Sequence, residues 1–78
     1  MTRAAVSTRN RFAIAKGGTT LKLLRDDYSP LAALSVALTY AMRDETGGIW
    51  YVREYEDVLY RIRREPGKRS RVTVEGTA

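Results

Sequence analysis

The chain has 78 residues, no cysteine, no histidine and a formal net charge of +5. That length gives one domain with a marginal core, and the missing residue types exclude disulfides, a structural zinc site, a cysteine nucleophile and the commonest general base. No apolar run approaches the roughly 20 residues of a membrane helix, and no hydrophobic segment of signal-peptide type follows the N-terminal arginines, so a cytoplasmic protein without membrane, metal or cofactor is the expectation.

Residues 1–10 are rich in Thr, Arg, Ser and Asn and read as a flexible basic arm. From Arg11 large and small residues alternate, with Phe12 and Ile14 sharing one face. Gly17 and Gly18 predict a two-residue hairpin turn. The return strand spans about Thr19–Leu24, with Leu21 and Leu23 pointing inward and Leu24 breaking the alternation.

The only long helical pattern follows. Ser29 is placed to cap it and Pro30 to open it, where the missing N–H costs nothing. Asp26 and Asp27 lie ahead of the positive end of the helix dipole and read as capping residues, and Arg43 lies near the negative end. Leu31, Leu34, Leu38 and the pair Ala41/Met42 recur at the spacing of one buried face. The helix stops near Asp44, with Gly47 or Gly48 free to take a left-handed conformation.

Ile49, Trp50, Tyr51 and Val52 give the strongest strand signal in the chain. Residues 54–65 fit two patterns. A helix there places acids at its start and arginines at its end, as the dipole prefers. A strand gives two alternating faces and leads into the reverse turn of Glu65, Pro66, Gly67 and Lys68. The strand reading is favoured, and Val72 to Val74 form one more strand before a tail at 76–78.

The expected architecture is a single α+β domain over residues 11–75, of order β-β-α-β-β-β: an N-terminal β-hairpin, one central helix and a C-terminal three-stranded antiparallel meander. One face of the meander carries Trp50, Val52, Val58, Tyr60, Ile62, Val72 and Val74, a sheet core. The other carries Ile49, Tyr51, Arg53, Leu59, Arg61, Arg63, Arg69 and Arg71. Arginines on neighbouring strands repel one another, so this face calls for an anion, or for Glu54, Glu56 and Glu65 as counterions.

Charge along the chain points the same way. Residues 1–25 carry Arg3, Arg9, Arg11, Lys16, Lys22 and Arg25 and no acid, and residues 58–78 carry six basic groups against Glu65 and Glu75. Between them, residues 26–57 hold seven acids against Arg43 and Arg53. Two basic ends attract a polyanion if the fold brings them together.

Other constellations carry less. Trp50 reads as a core anchor. Glu54, Glu56 and Asp57 fit no calcium-loop spacing, and the segment Lys16 to Thr20 lacks the order of a phosphate loop and is at most an anion nest. Ser7, Ser29, Ser35 and Ser70 have no histidine base. The sequence therefore predicts a small, basic, non-enzymatic binding protein. Tyr51, Arg53, Arg61, Arg63, Lys68, Arg69 and Arg71 are expected to meet nucleic acid. In the alternative, the same residues occupy an acidic protein surface, as in an interaction module or small inhibitor. Val36 and Tyr40 extend the apolar surface of the helix beyond one stripe and mark a face for self-association or a partner.

Overall fold

A computed structural model describes residues 10–68 and 71–76. Residues 1–9 of the expected arm, Arg69 and Ser70, and residues 77–78 lie outside it, and Asn10, expected to close the arm, opens the first strand. Six elements follow in order: β1 (Asn10–Lys16), β2 (Thr19–Arg25), α1 (Pro30–Arg43), β3 (Gly48–Glu54), β4 (Asp57–Arg64) and β5 (Val72–Gly76). Residues 57–64 are therefore strand, and the α+β order is the expected one. Hairpin and meander join through β1 and β3 into one antiparallel sheet of order β2-β1-β3-β4-β5.

The helix packs across β1, β3 and β4. Its buried line is Ala33, Ala37 and Ala41, four residues apart and so on one face. Small side chains there let the helix backbone approach the sheet, and the larger Leu34, Val36, Leu38 and Tyr40 pack on its flanks. Phe12, Ile14, Leu24, Trp50, Val52 and Ile62 supply the sheet's half of the core. Of the expected stripe Ala41 is buried and Leu34 and Leu38 pack against the core, whereas Leu31 and Met42 are 70% and 65% exposed. The alanines, not the leucines, sit at the point of closest packing.

Ser29 caps α1 by accepting a hydrogen bond from the Ala32 N–H at 3.1 Å. Asp26 and Asp27 are not the caps; Asp27 forms an exposed ion pair with Arg25 at 3.5 Å. At the other end the chain turns sharply through Gly47, at φ +75°. A Cβ there would lie 2.7 Å from the Pro66 nitrogen and 2.8 Å from the Arg64 carbonyl oxygen, so only glycine fits.

Two bulges change which residues face the helix. In β2, Ile14 pairs with Lys22 but Ala15 with Thr20, leaving Leu21 as an extra residue. Leu24 is consequently buried against the core, whereas Leu21 and Leu23, expected inward, are 50% and 52% exposed. In β4, Val52 pairs with Tyr60 but Arg53 with Val58, leaving Leu59 extra. Val58 thus moves to the Tyr51 and Arg53 face, and Leu59 packs against the core, the reverse of the simple alternation. An extra residue in one strand exchanges the faces of everything beyond it.

Candidate functional site

The helix occupies one face of the sheet, and no described element covers the other. Direct cross-strand pairs place residues side by side on this open face. Ala15, Tyr51, Arg61 and Glu75 make one row, and Ile49, Arg63 and Thr73 make the next. Leu23, Ala13, Arg53 and Val58 make a third on the other side of Tyr51. Side-chain alternation in the pleat puts all of them on the side away from α1.

Arg61, Arg63 and Arg71 come together around a groove of about 310 Å³, with Ile49, Thr73, Glu65 and Glu75 completing its walls. The three guanidinium groups are not equivalent. Arg61 is held by Glu75, with its Nε donating at 3.0 Å and its Nη2 at 2.6 Å. That hydrogen bond, with the Coulomb attraction behind it, pushes the Arg61 pKa up from its ordinary value. Arg63 and Arg71 are exposed and make no side-chain hydrogen bond or ion pair among the described residues. They are the free cations of the groove.

Tyr51 and Arg53 line a second hollow of about 260 Å³ with Gly17 and Val58. Among the described residues the Arg53 Nε is buried without a hydrogen-bond partner. Lys68 is exposed in the turn after β4 and does not line the groove, and Arg69 lies outside the described residues. The expected counterions are also redistributed. Glu54 pairs with Arg11 on β1, and Glu75, not Glu54 or Glu56, neutralises an arginine on the open face.

Val36 and Tyr40 lie on the flanks of the helix's buried line. Each is half-buried against the core, and Tyr40 meets Trp50 edge-to-face at 5.9 Å. The exposed large apolar side chains of the helix are Leu31 and Met42.

Two polar clusters that the sequence reading did not single out hold this scaffold. Arg64 is only 3% exposed. Its Nε donates to the Ala41 carbonyl at 3.1 Å, and its Nη2 donates to the carbonyls of Met42 at 3.4 Å and Gly67 at 2.8 Å. Its Nη1 donates to the Glu65 carbonyl. One arginine thereby caps the C-terminus of α1 and fastens the β4–β5 turn, satisfying carbonyls that a helix end leaves open. The only trace in the sequence is its place on the Ile62 face, where an alternating strand calls for an apolar residue.

Asp44 is the second cluster. Its Oδ2 accepts from Lys16 Nζ at 2.6 Å and from the Trp50 indole N–H at 3.1 Å, and its Oδ1 accepts from the Thr46 N–H at 3.2 Å. The Lys16 and Thr46 hydrogen bonds, with a smaller part from Trp50, hold its carboxyl at about 2, against 3.8 ordinarily. Trp50 is therefore a core anchor with its one polar atom satisfied.

Among the described residues, no cluster of acidic side chains is arranged to hold a metal ion, and no helix is long and apolar enough to cross a membrane. Comparison of the chain with protein-family models, curated proteins and solved structures finds no match.

Proposed function

We propose that this protein is a small, non-enzymatic binding protein whose open sheet face docks on nucleic acid. The observation that carries the reading is the pair of arginines, Arg63 and Arg71, whose side chains have no partner among the described residues, in one groove with Arg61 on a face that no described element covers. Arginine suits the role because its planar fork forms two parallel bonds to a phosphate. No arrangement on the face matches paired donors and acceptors of particular base edges, so the contacts are of the positioning kind, insensitive to sequence. The absence of histidine and cysteine fits binding rather than chemistry.

Titration of mixed-sequence DNA and RNA at physiological salt tests this. The expected dissociation constants fall in the non-specific range of about 1–100 μM. They should rise steeply with salt, and replacing Arg63 and Arg71 together by alanine should weaken all sequences alike. The rival occupant is an acidic protein surface. No nucleic-acid binding below about 0.1 mM, with a partner recovered from lysate regardless of nuclease, would reject the proposal in favour of that rival.

A further inference from the structure

We infer, resting on the nucleic-acid reading, that the open face is built for a single strand rather than a duplex. Width is the first argument. Five strands spaced at about 4.8 Å span about 19 Å, whereas the major groove of B-DNA is about 12 Å wide and admits only a helix or a two-stranded ribbon. The whole face therefore cannot enter a duplex groove.

The chemistry of the face is the second argument. It is divided along the sheet. The β1–β2 side carries no charge in these rows: it presents Ala13, Ala15, the exposed Leu23 and Thr20, with Leu21 exposed at the edge. The β4–β5 side is cationic, with Arg63 and Arg71 free in the groove. Tyr51 stands between them, directly beside Arg61. A duplex presents phosphates but hides the faces of its bases, and would leave Tyr51 and the leucines unmatched. A single strand offers both: phosphates for the arginines and open base faces for the aromatic ring and the uncharged side. Arg63 is a diagonal cross-strand neighbour of Tyr51, about 7–8 Å away in such a pair, close enough for adjoining parts of one strand to meet both.

Fluorescence anisotropy with a mixed-sequence 20-nucleotide single strand and its duplex, in the same buffer, separates the possibilities. The single strand is expected to bind at least about tenfold more tightly. Tyr51→Leu should weaken single-strand binding by about fivefold to a hundredfold, whereas Tyr51→Phe, which keeps the ring, should retain it. A thermal melt of each variant confirms that the fold is intact. Duplex binding as tight as single-strand binding, or indifference to Tyr51→Leu in a folded variant, would overturn this inference while leaving nucleic-acid binding standing. Failure of both oligonucleotides to bind would overturn both.

Discussion

Arg64 shows how far a single residue can depart from its usual place. Charged side chains are almost never fully buried unless paired, yet among the described residues this one has no carboxylate partner and rests on four backbone carbonyls. Substitution Arg64→Met keeps the bulk and removes the side-chain donor from the carbonyls of Met42, Glu65 and Gly67, while that of Ala41 keeps the Asp44 N–H at 3.1 Å. A loss of about 2–4 kcal/mol is expected, a large part of the stability of so small a domain, read as a lower urea midpoint. Arg64→Lys should recover little, because an ammonium cannot span the fork. Asp44 gives a residue-scale prediction in pH. Its folded pKa is depressed, so the stability it contributes is complete above its unfolded value of 3.8 and drains away as pH falls toward about 2. Thermal melts of the protein and of Asp44→Asn should therefore differ most near neutrality and converge by about pH 2. These roles were hidden in the sequence for a definite reason. Arg64 and Asp44 each tie local partners to groups that only the fold brings near: Arg64 joins Glu65 and Gly67 to carbonyls more than twenty residues away, and Asp44 joins Thr46 and Trp50 to Lys16.

At the scale of elements, legibility tracked how local the governing physics is. The helix occupies Pro30–Arg43 as read, because Ser29, Pro30 and the glycines beyond Asp44 are signals that act within a turn of the chain. The ambiguous stretch at 54–65 is strand over Asp57–Arg64 because β3 and β5 pair with it on both sides. What failed was strict alternation. Nothing in a run such as Thr-Thr-Leu-Lys-Leu-Leu announces that Leu21 is an extra residue, so Leu23 was read as inward and Leu24 as the exception. The same reason exchanged Val58 with Leu59. The β3–β4 hairpin carries a further cost: Tyr55 sits at φ +55° in a two-residue turn, a conformation that disfavours any residue with a Cβ by about 1–2 kcal/mol. Its ring is exposed and its backbone N–H bonds the Arg11 carbonyl at 3.0 Å, a bond that any non-proline residue retains. Tyr55→Asn, which tolerates this region, should raise the melting temperature by a few degrees, corresponding to about 0.5–1 kcal/mol. An unchanged or lower melting temperature would show that the tyrosine ring contributes contacts worth more than the strain.

For the whole molecule, one helix over one sheet leaves a second face to be explained. The sequence reading placed Tyr51, Arg53, Arg61, Arg63 and Arg71 together on it, since they follow from alternation in β3, β4 and the approach to β5. It did not reveal the uncharged side of β1 and β2, which depends on the two sheets' being one. The arginines now divide into those that maintain the fold and those open to a partner, and that division is the central claim. It is tested most directly by following the arginine Nε–Hε resonances during titration with a mixed-sequence single-stranded oligonucleotide. Arg53, Arg63 and Arg71 are expected to shift progressively, Arg61 to shift as its bond to Glu75 is exchanged or shared, and Arg64, sealed beneath the helix end, to stay in place. Shifts confined to Arg43 and to the α1 amides around Leu31 and Met42, with Arg63 and Arg71 silent, would contradict it and place the binding surface on the helix.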